Sequence, residues 1–456
     1  MTGNWWNGAE QARQQLFGVV PEQVARLHWD AASLAQYRSA RLAETLSFAA
    51  EHSAWHAGRL SSLDLEAVTP EDLRSLPIMT KVDVMDAWDC IVTEPRLSLD
   101  AAQQHLARVE DGGLPLLLEK YVVFTTGGTT GRPGVFVWSL EEFARWGAST
   151  IRFGIDAGDP PAERLTFVAA RSVRHPSAWA PLLLYGWSAG SRQRVPIDQP
   201  VSVIVEQLNT IAPDSLWVVS SMLPALVEAA AAGALRISPR RIVAGADAVD
   251  PRALDAAEVW FGTRPVQSYA TTDVGMVADQ PPAEDALIVH DDLMIVEAVD
   301  EDDRPVPPGE LSHHVLVTSL HQRTMPMIRY RIDDRISVAP PAGRRYPAFT
   351  RVTSIDGRAD DVFRYGDVIV HPHTFRSVLT RHASVHDYQI CQKPGGVEVL
   401  IQVRGSCDVA TVTAQLTAAL VAAGVPGATA RVAVIDDIPR TPLGKRLHFV
   451  PARPGG

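Results

Sequence analysis

The chain is poor in cysteine: Cys90, Cys391 and Cys407 are all it has in 456 residues. So few and so scattered, these thiols exclude a disulfide framework and a four-cysteine zinc site, and they point to a reducing, cytoplasmic setting. Positive charge is also in deficit. A formal net charge of −11 argues against a general nucleic-acid or anionic-membrane binder, whose face would be basic. Neither nucleic acid nor membrane is therefore an expected partner, and any anionic ligand has to be met by local donors. The most apolar helical stretch, residues 225–237, is too short to span a bilayer and carries Glu228 and Gly233. It reads as a buried core helix. The first residues, Met1-Thr-Gly-Asn-Trp-Trp, lack the basic and apolar regions of a signal peptide.

Hydrophobic residues at 46% and charged residues at 21% are ordinary for a globular protein, and the length suits two or three domains. Residues 1 to about 110 read as mostly helical, because Trp5, Leu16, Val20, Val24 and Leu27 include spacings of three and four. From Tyr121 short apolar strands (165–169, 216–220, 241–244) alternate with helices (224–235, 251–261) opened by Pro224 and Pro251. That alternation predicts a largely parallel sheet flanked by helices. Residues 293–320 are strand-rich, with a turn at Pro307-Pro-Gly-Glu310, which predicts a small antiparallel subdomain. A hairpin (388–391, 397–403), a helix (409–423) ended by Gly424 and a strand (430–435) close the chain. The fold class expected is α/β, with a large domain over 1–361 and a small α+β domain over 362–456.

A nucleotide-kinase phosphate loop is missing, yet one stretch has the same physical character. Tyr121-Val-Val-Phe-Thr-Thr-Gly-Gly-Thr-Thr-Gly-Arg-Pro-Gly134 runs from a β-branched segment into a glycine–threonine loop. Glycines let several amide N–H groups converge on an anion, and threonine hydroxyls add donors. Arg132 followed by Pro133 departs from the Gly-x-x-x-x-Gly-Lys-Ser/Thr pattern. Alone, the stretch fits a hairpin turn as well as a phosphate cradle. Further on stand Val243-Ala-Gly-Ala-Asp247, Ser268-Tyr-Ala-Thr-Thr-Asp-Val-Gly275, Pro326-Met-Ile-Arg-Tyr-Arg-Ile-Asp-Asp334, Asp356-Gly-Arg-Ala-Asp-Asp361 and Ile438-Pro-Arg-Thr-Pro-Leu-Gly-Lys445.

In this order, these segments resemble the adenylate-forming superfamily of acyl-CoA synthetases, adenylation domains and luciferases. With Leu76-Pro-Ile-Met-Thr-Lys81 they are most similar to its phenylacetate–CoA ligases, over residues 76–445. The resemblance implies an ATP-dependent carboxylate-activating enzyme that forms an acyl-adenylate, releases pyrophosphate and passes the acyl group to CoA. Transfer to an amine or a carrier protein stays open beside it, as does a nucleotide-binding relative without turnover, and a homodimer is left open.

The resemblance also implies roles, residue by residue. Lys445, on the mobile C-terminal domain, is the catalytic lysine, and Arg358 contacts ribose or phosphate; outside the resemblance the first could equally be a surface lysine and the second half of an exposed ion pair. Thr125, Thr126, Gly127, Gly128, Thr129, Thr130 and Gly131 hold the β- and γ-phosphates, with Gly127 where relatives have a hydroxyl. Gly245, Ala246 and Asp247, then Tyr269, Ala270, Thr271 and Thr272, belong to the nucleotide site, with Tyr269 stacked on adenine. Asp334, chosen over Asp333, accepts from the ribose hydroxyls, and Asp361 is the hinge. Asp273 and Asp247 each replace a glutamate, and Asp273 is the ligand for the Mg2+ that accompanies ATP. No counterpart exists of the cysteine-rich metal loop that some relatives carry. The acyl pocket is placed at Trp138, His175, Trp179, Tyr185, Ser221 and Met222, a set that suits a flat aromatic acid but also fits core packing.

Overall fold

The structure is a computed structural model. It describes residues 5–452 apart from 66, 111–115, 127–133, 160–161, 171–172, 186–193, 198, 200, 247–248, 250, 342–344, 359–362, 367, 371, 380–381, 383, 404 and 440–446. By contacts the chain divides into two compact units, Met1–Asp356 and Gly357–Gly456.

In the first unit, helices Trp5–Arg26, Ala31–His52 and Ala54–Leu60 precede the sheets. Asp30 caps the second through the Ser33 N–H, and Ser53 caps the third through the His56 N–H. Strands β1 (Tyr121–Thr125) and β2 (Val135–Ser139) form an antiparallel hairpin in full register from Tyr121–Ser139 to Thr125–Val135. Both strands that flank the glycine–threonine stretch are buried throughout.

A nine-stranded sheet follows, built from β3 (Leu165–Ala169), β4 (Arg194–Pro196), β5 (Ser215–Val219), β6 (Arg241–Gly245), β7 (Val266–Thr271), β8 (Gly275–Asp279) and β9 (Leu287–Val289), then β13 (Asp334–Ala339) and β14 (Arg351–Arg358). β4, β3, β5, β6 and β7 pair in parallel; β7–β8, β8–β9 and β9–β14 are antiparallel. The direction changes at the tight turn between β7 and β8, where Gly275 takes φ +87. β10 (Met294–Val299), β11 (His314–Ser319) and β12 (Tyr330–Ile332) make the expected small antiparallel sheet. The turn at Pro307–Glu310 closes through the Glu310 N–H to the Pro307 carbonyl.

Helix Pro251–Phe261 matches the expectation, but the helix expected over 224–235 stops at Ala231. Apolar content continues past that point, yet Gly233 sits at φ +71, where a helix cannot continue. Residues 225–237 are therefore not one buried helix. In the second unit, helices Pro372–Leu379 and Val409–Ala422 accompany strands β15 (Phe363–Tyr365) to β20 (Phe449–Val450), and its core gathers Phe363, Phe375, Ile390, Leu416 and Phe449. Among the described residues, no helix is long and apolar enough to cross a membrane.

A fully buried ion network ties the first unit together. Asp292 accepts from Arg26 Nε at 2.7 Å and from both terminal nitrogens of Arg152 at 2.8 Å. Arg152 also donates to His290 Nδ1 at 2.6 Å. That fixes the tautomer: His290 Nε2–H donates to Asp279, 3.0 Å away. Burial and the neighbouring guanidinium lower the His290 pKa, while the two arginines hold the Asp292 carboxyl far below the usual range. Asp292→Asn leaves two buried cations short of a counter-ion, so it is expected to lower unfolding stability by about 3–5 kcal/mol, read by urea denaturation.

His56 is likewise buried, donating from Nε2 to the Pro326 carbonyl at 2.9 Å. Burial pushes it down to about 3, and burial pushes His321 down to about 4. Both lie below the ordinary histidine value of about 6.5, so the unfolded chain binds these protons first. Their contribution is complete above that value and is lost as pH falls toward 4. Urea midpoints taken between pH 7.5 and 5 should therefore drop, and His56→Gln, which retains a donor for Pro326 but cannot titrate, should flatten the slope.

Candidate functional site

Tyr269 and Asp334 lie 65 positions apart and meet: the Tyr269 hydroxyl donates to Asp334 Oδ2 at 2.9 Å. The Tyr269 ring is buried at the middle of β7, with its hydroxyl reaching the first residue of β13. The neighbouring Asp333 is occupied differently, accepting from Arg331 Nε at 2.7 Å. Asp334 is thus the carboxylate aligned with the tyrosine, half-buried and able to accept further donors.

The turn after β7 carries Thr271, Thr272 and Asp273, all half-buried. Its carbonyls are held from outside the turn. Trp138 Nε1 donates to Thr272 O at 3.2 Å and Gln322 Nε2 to Asp273 O at 3.0 Å, while the Thr271 hydroxyl accepts from Val274 N at 3.4 Å. Ala270 packs at the edge of the aromatic cluster described below. Among the described residues, no group of three metal-ligating side chains occurs. A single half-buried carboxylate suits Mg2+ that keeps most of its coordination for water and substrate phosphates.

At the phosphate loop, Thr126 closes the neck. Its N–H donates to the Gly134 carbonyl at 3.0 Å, and its hydroxyl accepts from the Gly134 N–H at 3.1 Å. The Thr125 N–H is directed to the Arg174 carbonyl at 2.9 Å, and Thr125 is buried. The amides of these two threonines therefore hold the loop's base rather than face a ligand. Gly127, Gly128, Thr129, Thr130 and Gly131 lie outside the described residues, as do Asp247, Asp361 and Lys445; so do the side chains of Arg358, Tyr185 and Ser221.

Lys81 was not legible as a site residue, although its motif was. It opens the short helix Lys81–Asp86, which Thr80 and Asp83 cap reciprocally. Its side chain runs across Gly134: a Cβ built there would come within 2.9 Å of Lys81 Cε. The same segment reaches the other motif, with Met79 N donating to Arg329 O and Arg331 N to Met79 O. The loop base and the Arg-Tyr-Arg run thus share one support.

On the β6 side, Gly245 pairs with Ser268 so closely that a Cβ at 245 would lie 3.1 Å from the Ser268 carbonyl. Ser220 donates to the Gly245 carbonyl at 3.1 Å, and Ala246 takes φ 70, a left-handed value that alanine adopts only under constraint. Of the residues expected to line the acyl pocket, the described ones fall in two core clusters and a loop. Trp179 is buried with Trp138, Phe143 and Trp146, their ring centroids 5.1–6.3 Å apart. Met222 packs in the core beneath β5 and β6. His175 is half-buried, its Nδ1 2.8 Å from the Ser177 hydroxyl.

No family model matches the chain. Among curated proteins, a phenylacetate-coenzyme A ligase of Aromatoleum evansii is 22% identical over 338 residues, 70% of each chain. Among solved structures, 2-hydroxyisobutyryl-CoA ligase, in a postadenylation complex with R3-HIB-AMP, superposes with a TM-score of 0.72. It is 17% identical and covers 93% of this chain and 91% of its own. The fold is that of the adenylate-forming CoA ligases. An anthranilate CoA ligase bound to anthranoyl-AMP matches at a TM-score of 0.52 and 14% identity, covering 71% of this chain and 64% of its own. In sequence the chain is similar to a phenylacetate-coenzyme A ligase, and in fold to 2-hydroxyisobutyryl-CoA ligase.

Within that fold, Tyr269 and Asp334 are the described pair best placed to be tested. Tyr269→Phe keeps the buried ring and removes one hydrogen bond to Asp334. Calorimetric titration should show ATP binding weakened about 2–10-fold, with the unfolding midpoint little changed.

Proposed function

We propose that the protein is an ATP-dependent acid–CoA ligase that acts through an acyl-adenylate, with an aromatic carboxylic acid as substrate. The Tyr269–Asp334 contact supports this most directly, because it joins two separate motifs into one surface suited to adenine and ribose. A carboxylate is a poor electrophile until one oxygen becomes part of a leaving group. Its oxygen attacks the α-phosphorus of ATP, the bond to the β-phosphate oxygen breaks, and pyrophosphate departs with the electron pair. The thiol sulfur of CoA then attacks the acyl carbon, AMP leaves and the thiol proton is released.

The first step presses an anion against a phosphate, so catalysis rests on positioning and charge neutralisation. In this reading Asp334 accepts from the ribose hydroxyls, and Tyr269 with Gly245, Ala246, Asp247, Ala270, Thr271 and Thr272 bounds the base and sugar. Residues 127–131, on the base formed by Thr125 and Thr126, hold the β- and γ-phosphates with Lys81. Bound Mg2+, carried by Asp273, offsets phosphate charge. Lys445 bridges the carboxylate and α-phosphate oxygens, Arg358 contacts ribose or phosphate, and Asp361 serves as the hinge for the second half-reaction. His175, Trp179, Tyr185, Ser221 and Met222 are assigned to the acyl side.

The decisive measurement is acid-dependent pyrophosphate release over a panel of aryl and alkyl acids, with the product weighed after adding CoA, an amine or a carrier protein. Release with aryl acids and a CoA thioester is the expected result. Release without any acid dependence sinks the ligase reading, and an amide product moves the acceptor from CoA to an amine. Lys445→Ala should slow acyl-adenylate formation about 10²–10³-fold while leaving ATP binding nearly unchanged.

A further inference from the structure

We infer that Glu142 and Gln322 form a buried brace that sets Asp273 relative to the phosphate-loop hairpin, making both positioning residues for metal–nucleotide binding. The inference rests on the ligase reading for Asp273, but the geometry of the brace stands apart from it.

Glu142 is the third residue of the helix Leu140–Asp156, which begins where β2 ends. Its carboxylate is buried and accepts four hydrogen bonds. Ser139 N reaches Oε2 at 2.7 Å, the ordinary capping contact of a helix start. The other three come from a remote turn: Arg323 N and Thr324 N to Oε1, the latter at 2.7 Å, and the Thr324 hydroxyl to Oε2 at 2.6 Å. A cap needs only the first. The rest fasten residues 323–324 to the end of the phosphate-loop hairpin.

The adjoining Gln322 passes this constraint on. Its backbone N–H donates to the Ser319 hydroxyl at 3.2 Å, and its side-chain Nε2 donates to the Asp273 carbonyl at 3.0 Å. Gln322 is wholly buried, and its Oε1 has no hydrogen-bond partner among the described residues. An unpartnered buried acceptor is a standing cost that an apolar side chain of similar length would avoid. The glutamine earns its place through its one donor. From the hairpin itself, Trp138 Nε1 holds the carbonyl of Thr272 beside it. Two struts, one from β2 and one from the turn that Glu142 clamps, thus fix consecutive carbonyls of the segment that ends in Asp273. A carboxylate that must meet a metal held by phosphates tolerates little displacement, and this arrangement references it to the strand that carries the phosphate loop.

The test uses the full-length protein and calorimetric titration with ATP, once in excess Mg2+ and once in excess EDTA. Gln322→Met should weaken binding in Mg2+ about ten-fold and binding in EDTA less than two-fold. In Asp273→Asn, which removes the metal contact, the further change Gln322→Met should add almost nothing, because both act through one carboxylate. Equal losses in Mg2+ and EDTA, no loss in either, or additive losses in the double variant would each overturn the brace. So would full retention of Mg2+-dependent binding by Asp273→Asn. If Gln322→Met does not fold, Trp138→Phe removes the companion strut and must show the same selective loss. Wild-type protein that binds ATP with Mg2+ but releases no pyrophosphate with any acid would end the ligase reading and leave the brace to be judged on binding alone.

Discussion

Two buried arginines converge on the carboxylate of Asp292, and one of them, Arg152, also donates to the buried His290. Charges in that position are tolerated only when every partner is in place, so the network acts as a condition on assembly rather than as a surplus of stability. Arg26 comes from the first helix, Arg152 from the helix that follows the phosphate-loop hairpin, and Asp292 and His290 from the turn after β9. His290 extends the chain of bonds to Asp279 at the end of β8, the strand that leaves the turn bearing Asp273. One buried contact set therefore fixes the helix Leu140–Asp156 against the sheet. The opposite end of that helix bears Glu142. A single rigid element is held at its last turns by a salt-bridge network and at its first by a clamp on residues 323–324.

Much of this was legible in the chain. The helix Pro251–Phe261 and the strand Leu165–Ala169 were read at their observed limits, because proline and polar flanks punctuate them sharply. The antiparallel sheet past residue 293 follows from proline and glycine placement in the same way. The helix that ends at Ala231 was not legible: alanine and leucine continue beyond it, and only the backbone of Gly233 shows the stop. Periodicity reports which faces are apolar and says little about where a helix gives way to an apolar loop.

The site divided along similar lines. Motif order named both Tyr269 and Asp334; in the structure they are in contact, while Asp333 accepts from Arg331. Glu142 and Gln322 gave no signal. A glutamate three residues after a serine looks like an ordinary capping residue, which it also is, and a glutamine among polar neighbours looks like a surface residue. Their significance comes from contacts across 181 and 49 positions, which no local pattern encodes. His56 is similar: its partner, the Pro326 carbonyl, lies 270 positions away.

The net charge of −11 sharpens what the local arrangement has to do. A triphosphate approaching such a molecule finds no favourable overall field, so its binding depends on short-range donors and on keeping nearby cations unspent. The Tyr269 hydroxyl is one partner of Asp334, and the turn bearing Asp273 is held through its carbonyls by an indole and an amide. Arg26 and Arg152 are committed to Asp292 inside the framework. Cations spent there cannot meet a ligand, so an anion bound by this acidic chain has to be held by short-range donors at the site itself.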